Sequence, residues 1–239
     1  MELEPSRASD ALRKGELELL GRMAWSSNAT FLVTASLDDI EVPAVYKPRR
    51  GERPLWDFPE GSLCNREVAA YELSEALSWA IVPETLLRDG PHGIGMVQQF
   101  IDHDPEDHYF TLLETHTDDF KRFAAFDVLA NNADRKGGHC LRAQSDGHVW
   151  GIDHGLTFNV VEKLRTVVWD FAGEPIPEGI ASTLDCVLDE LHGPLGRRLG
   201  DLLAPAEVEA IGDRTRRLLR AGVFPSPDEG YHSVPWPLV

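Results

Sequence analysis

Short apolar-rich segments broken by polar turns make up the N-terminal part of the chain. Residues 17–24 and 30–36 read as two β-strands, separated by the polar stretch Trp25-Ser26-Ser27-Asn28-Ala29. After a turn at Leu37-Asp38-Asp39, residues 40–47 (IEVPAVYK) make a third strand. Pro43 lacks an N–H, which predicts an edge position or a bulge there. Short turns between the three strands predict an antiparallel meander. A Pro- and Gly-rich loop over 50–61 leads to a helix over 63–80, with Ser62 as its N-cap. Leu63, Glu67, Ala70, Ser74 and Leu77 fall on one stripe of that helix, and Glu67 is its single charge. A carboxylate on a packed face needs a partner, and Lys47, closing the third strand, is the candidate.

Residues 85–88 and 94–101 read as two further strands. The acidic loop 102–107 (DHDPED) then marks a boundary between a lobe of residues 1–101 and one of residues 102–239. Beyond it the periodicity changes to that of helices. Asp118 or Asp119 caps a helix running to about 130, with Phe120, Phe123, Ala124 and Val128 inward. The polar run Asn131 to His139 follows, then a hairpin of 140–142 and 148–152 that ends on Asp153-His154-Gly155. Residues 159–171 are irregular, anchored by Val167, Val168 and Trp169. Helices are predicted over 180–192 and 205–221, and a proline-rich tail from 222 onward is pinned by Trp236.

Charge narrows the partners. A net charge of −17 on 239 residues excludes a general nucleic-acid binder and disfavours anionic membranes, because phosphate contacts need clustered Lys and Arg. Arg214, Arg216, Arg217 and Arg220 are read as the solvated face of the last helix. The three cysteines are scattered, with no CxxC pair, which suits a reducing cytoplasm rather than a disulfide framework. The start of the chain lacks an apolar signal segment, and no apolar run is long enough for stable membrane insertion.

The chemistry concentrates in the loop holding Asp134 and the turn holding Asp153. Two spaced carboxylates of this kind serve phosphoryl transfer, one orienting the attacking hydroxyl and the other holding the metal that bridges the phosphates. Four ordered stretches carry a family likeness: Ala44-Val45-Tyr46-Lys47-Pro48, Glu67-Val68-Ala69-Ala70-Tyr71, Asn132-Ala133-Asp134-Arg135 and Ile152-Asp153-His154-Gly155. The pattern resembles the phosphatidylinositol 3-/4-kinase-like family, closest to type II phosphatidylinositol 4-kinases and their actinobacterial relatives, from about Trp25 to Phe158. The resemblance implies an α+β, two-lobed protein-kinase-like fold, with an antiparallel-sheet N-lobe carrying one covering helix and a mainly helical C-lobe. It also implies an ATP-dependent kinase that acts on a hydroxyl-bearing acceptor, whether phosphoinositide, inositol derivative or protein.

The resemblance carries roles over position by position. Lys47 grips the α- and β-phosphates and Glu67 orients it, while Asp134 positions the acceptor hydroxyl. The turn Ser26-Ser27-Asn28 lies over the phosphates, and Gln98, Gln99, Phe100 and Ile101 meet the adenine. Asp153 holds Mg²⁺ or Mn²⁺ together with His139, which stands where the family commonly has an asparagine. The phosphate turn also lacks the family's glycine, and there is no Walker A pattern. Two other readings stay open: a nucleotide-binding pseudokinase with a regulatory role, and, more remotely, a metallohydrolase built from Asp-flanked histidines such as His103, His139 and His154.

Overall fold

The structure, a computed structural model, describes residues 5–23, 28–228 and 232–239. It divides into two compact units, Met1–Val68 with Pro83–Ile101 and Ala69–Val82 with Asp102–Val239. The first contains helix α1 (Pro5–Lys14), strands β1 (Glu16–Arg22), β2 (Phe31–Leu37) and β3 (Ile40–Pro48), and a 3₁₀ turn at Arg49–Gly51. The start of helix α2 (Leu63–Leu77) and strands β4 (Thr85–Gly90) and β5 (Gly93–Gln99) complete it. The five strands form one antiparallel sheet in the order β1-β2-β3-β5-β4.

Alternation along β3 decides what each face of the sheet does. Ile40, Val42, Ala44 and Tyr46 are buried on one face, against Ala11 and Leu12 of α1. Lys47, next in sequence to Tyr46, therefore projects from the opposite face. Sequence periodicity did not reveal α1, because a helix with so few apolar residues is held by its packing rather than its propensity. Its end is secured by Arg88, whose guanidinium donates to the carbonyls of Leu12 and Gly15, each at 2.7 Å.

The expectation of an edge strand or bulge at Pro43 fails. β3 lies between β2 and β5, and Pro43 sits opposite Thr34 in regular register. The proline is tolerated because its carbonyl accepts the Phe100 N–H at 3.0 Å, just past the end of β5. Its missing donor thus faces the point where that ladder stops. The sheet's irregularity is instead in β1, between Leu19 and Gly21.

Helix α2 is also shorter than 63–80. Ser78 and Ala80 take positive φ of 52° and 49°, which an α-helix cannot continue. The buried Ser74 hydroxyl accepts the N–H groups of Ile81 at 2.9 Å and Val82 at 3.1 Å, fixing the chain as it leaves. At the other end the Ser62 hydroxyl donates to the Pro59 carbonyl and accepts from Arg66 Nε at 3.3 Å. The Glu52 carboxylate secures the first turn, accepting from the Leu63 and Cys64 N–H groups at 3.1 and 2.8 Å.

The second unit is mainly helical. It holds α3 (Tyr109–Leu112), α4 (Thr117–Ala130), the hairpin β6 (Cys140–Arg142) and β7 (Val149–Gly151), then α5 (Glu178–Leu191), α6 (Pro194–Gly200) and α7 (Pro205–Ala221). Its core joins Leu73 and Leu77 to Phe120, Phe123 and Phe126 of α4, Leu184 of α5, Leu199 of α6 and Ile211 of α7. The short helices α3 and α6 were not foreseen. His116, not Asp118 or Asp119, stands at the N-cap of α4, and the two aspartates lie in its first turn, where the helix dipole favours them.

Two further expectations are corrected. Arg216, Arg217 and Arg220 are exposed, but Arg214 is buried and donates to the carbonyls of Leu129 at 2.8 Å and Asn159 at 3.3 Å. Burial lowers its pKa to about 10. The tail is not pinned by Trp236, which is exposed. The Ser233 carbonyl holds it by accepting from Thr166 N–H and Trp169 Nε1, and the Leu238 carbonyl by accepting from Gly137 N–H. Among the described residues no helix is long and apolar enough to cross a membrane.

Candidate functional site

In the first unit the expected pair is formed. Lys47 Nζ lies 2.6 Å from Glu67 Oε1, with the glutamate side chain 3% and the lysine 18% exposed. Strand alternation turns Lys47 away from the Tyr46 core, and the helical stripe turns Glu67 inward. Two anchors set this geometry. The Cys64 thiol donates to the Lys47 carbonyl at 3.2 Å, and Glu52 secures the first turn of α2. The ammonium is thereby held in one place.

The residues assigned to adenine lie at the end of the sheet. Gln98 is buried, and its Nε2 donates to Thr85 Oγ1 at 2.8 Å. The N–H groups of Gln99 and Phe100 donate to the carbonyls of Glu84 at 2.9 Å and Pro43 at 3.0 Å, and are committed to the sheet. Ile101 follows directly. Asn28 is held through its Oδ1, which accepts the Arg53 N–H at 2.9 Å, whereas Ser26 and Ser27 lie outside the described residues.

In the second unit the loop after α4 is a hydrogen-bonded lattice. Asn131 caps the helix in the left-handed region, φ 48°, a conformation asparagine tolerates. Its Nδ2 donates to the carbonyls of Asn159 and Val161, and its Oδ1 accepts the Lys163 N–H. Asn132 Oδ1 accepts the Asp134 N–H at 3.1 Å, a local turn that sets the aspartate's direction. Asp134 is 21% exposed and flanked by two cations, Lys136 Nζ at 3.1 Å and Arg165 Nη2 at 4.0 Å.

Beneath this surface lies a buried network that joins the two loops. Asp127 and Arg135 are both fully buried and paired. Asp127 also accepts from Asn132 Nδ2 at 3.0 Å and Thr166 Oγ1 at 3.1 Å. Arg135 reaches on to the Ile152 carbonyl at 3.2 Å and His154 Nε2 at 2.6 Å. One guanidinium thus ties the loop of Asp134 to the turn of Asp153. The available signal was Asp127 itself, a lone carboxylate on the inward stripe of α4, as Glu67 is on α2.

Asp153 occupies a left-handed conformation, φ 60°, uncommon for a residue with a side chain. Its carboxylate is 50% exposed, with Oδ2 at 3.5 Å from His139 Nε2. Nδ1 of that ring accepts the Lys136 N–H at 3.4 Å, which puts the neutral ring's proton on Nε2, toward Asp153. Burial pushes the His139 pKa below its ordinary value, with the Asp153 carboxylate opposing. An exposed carboxylate in a fixed turn fits a hard cation such as Mg²⁺. Among the described residues no three His, Cys, Asp or Glu side chains gather into a metal-holding group, so phosphate and water oxygens would have to complete the coordination.

Similar proteins agree with this architecture. No family model matches the chain. Among solved structures, the Helicobacter pylori proinflammatory kinase CtkA aligns with TM-score 0.52 at 10% identity, covering 88% of this chain and 94% of that one. The hydra Fam20 structure with sugar aligns with TM-score 0.58 at 14% identity, covering 92% and 89%. Identities this low speak for the fold alone, and that fold is α+β, two-lobed and protein-kinase-like. A curated protein lies much nearer, 42% identical over 261 residues that cover 95% of this chain and 93% of its own length. The chain therefore belongs to the family of Protein Rv2133c of Mycobacterium tuberculosis (strain ATCC 25618 / H37Rv).

Proposed function

We propose that the protein is an ATP-dependent phosphotransferase of the phosphatidylinositol 3-/4-kinase-like branch, moving the γ-phosphoryl group to a hydroxyl acceptor. The observation that carries the reading is the Lys47–Glu67 contact at 2.6 Å, a shielded lysine held by a buried carboxylate and so placed to meet phosphate. Asp134 takes the acceptor proton as the acceptor oxygen bonds to the γ-phosphorus and the bond to the bridging β–γ oxygen breaks, releasing ADP. Lys136 and Arg165 beside it balance charge on the transferred group. Asp153 would hold the divalent metal, which would neutralise phosphate charge, and His139 would join it through Nε2 only by moving its proton to Nδ1 and giving up the Lys136 N–H. Gln98 to Ile101 form the adenine edge, and Asn28, with Ser26 and Ser27, covers the phosphates. The acceptor is a phosphoinositide, an inositol derivative or a protein hydroxyl.

One observation favours a second reading, a nucleotide-binding pseudokinase. The His139 ring is engaged by the Lys136 N–H where an oxygen donor would suit Mg²⁺ better. Transfer from γ-labelled ATP to lipid, inositol and protein acceptors, with Mg²⁺ and with Mn²⁺, separates the two. The kinase reading expects labelled product, and Asp134→Asn should retain nucleotide affinity while turnover falls about 10²–10⁴-fold. Nucleotide binding without transfer to any acceptor would favour the pseudokinase. Absence of nucleotide binding would overturn both.

A further inference from the structure

The connection between β3 and α2, with residues 92–94, borders an open recess of about 510 Å³ that no step of the proposed transfer uses. It is lined by Arg49, Arg50, Arg53 and His92, and by the apolar side chains of Phe58 and Ile94. That volume falls in the range of small-ligand sites, roughly 300–1,000 Å³. Two carboxylates, Glu52 and Glu60, also line it, but Glu52 is engaged with the first N–H groups of α2. Positive charge so gathered is notable in a chain of net charge −17.

Two of the arginines, Arg49 and Arg50, are held by side-chain contacts. Arg49 Nη2 donates to Asn65 Oδ1 at 2.8 Å, and its stem crosses Gly61, where an added Cβ would meet Arg49 Cδ at 3.3 Å. Gly61 also has φ +72°, a conformation that suits glycine. The Arg49 Nε–H is shielded from solvent and has no acceptor among the described residues. Arg50 Nη2 donates to His92 Nδ1 at 3.0 Å, which leaves the neutral ring with an N–H at Nε2. Beneath them Arg66 stacks over Phe58 at 4.9 Å and stiffens the floor.

We infer that this recess binds a phosphorylated peptide segment, with the phosphate on Arg49, Arg50 and Arg53 and an adjacent apolar side chain over Phe58 and Ile94. A dianionic phosphate matches several guanidinium groups, whereas a single carboxylate is satisfied by one bidentate arginine. Apolar exposure continues the site, for Ile94 is 48% and the neighbouring Trp56 93% exposed. A peptide can cover such residues, whereas a free phosphate cannot. An anionic bilayer would meet the −17 charge of the remaining surface and be repelled, while a short segment avoids it.

Fluorescence anisotropy tests this with the full chain, without nucleotide, at physiological salt. The probe is a labelled hexapeptide carrying phosphoserine beside phenylalanine, compared with its unphosphorylated form, free phosphoserine and phosphatidylserine vesicles. The phosphopeptide should bind at least about tenfold more tightly than its unphosphorylated form, and Arg50→Gln and Arg53→Gln should each weaken it about tenfold. Ile94→Ser should weaken the peptide severalfold, and Arg216→Gln on α7 should change nothing. Binding indifferent to the phosphate or to both arginine variants would overturn the assignment, as would no binding at millimolar peptide. Free phosphoserine competing as well as the peptide, or vesicles binding through the same arginines, would overturn it in favour of a small-molecule or membrane site. Because no nucleotide is present, failure here leaves the phosphotransfer reading standing, and the reverse holds too.

Discussion

Replacing Asp127 with asparagine removes one charge and changes almost no volume, at a position of zero exposure. The carboxylate accepts from Arg135 Nε at 3.1 Å, Arg135 Nη2 at 3.0 Å, Asn132 Nδ2 at 3.0 Å and Thr166 Oγ1 at 3.1 Å. An amide keeps one of the two acceptor oxygens and points an NH₂ at groups that are themselves donors. The Arg135 guanidinium is left buried with no counter-charge, a loss of about 3–5 kcal/mol. In a protein of this size that corresponds to a fall of about 6–20 °C in melting temperature. Chemical denaturation with near-ultraviolet circular dichroism, alongside calorimetry, measures both. Asp118→Asn, exposed on the same helix, is the control and should stay within about 1 kcal/mol. The double replacement Asp127→Leu with Arg135→Met should recover part of the loss, because it removes both charges together. A destabilisation of Asp127→Asn below about 1 kcal/mol would refute the network as the brace between the two loops.

Glu52→Ala should cost about 0.5–2 kcal/mol by uncapping α2, seen as a lower denaturation midpoint, and an unchanged midpoint would refute that role. His139→Asn should shift nucleotide binding toward Mg²⁺ over Mn²⁺ in calorimetric titrations, and an unchanged preference would make the ring a support for the Lys136 N–H alone. Of the three thiols, Cys186 is exposed while Cys64 and Cys140 are buried, and burial pushes the Cys140 thiol up to about 12 and Cys64 higher still. A thiol reagent at pH 8 should therefore modify one cysteine quickly in the native protein and all three in urea, and two fast native thiols would contradict the packing.

Local patterning determined a good deal. The period of two in residues 40–47 and the stripe through Leu63, Glu67, Ala70, Ser74 and Leu77 already implied that Lys47 and Glu67 turn toward each other. Each lies at the polar break of an otherwise regular pattern. The same logic, applied to Phe120, Phe123, Ala124 and Asp127, would have marked Asp127 as a buried carboxylate in need of a cation. Which cation was not legible, because Arg135 lies in a loop, where no period says whether a side chain points in or out. Only the tertiary structure sent it inward, to bind Asp127, the Ile152 carbonyl and His154 at once. Arg214 shows the same limit, being buried although it shares a run with exposed arginines. Pro43 shows the converse. Its chemistry pointed to an edge, but a central strand accepts a proline where the neighbouring ladder ends, and that depends on the length of a strand far away in sequence. Periodicity records which way a side chain leaves its own element, whereas a partner's identity depends on chain that folding brings alongside.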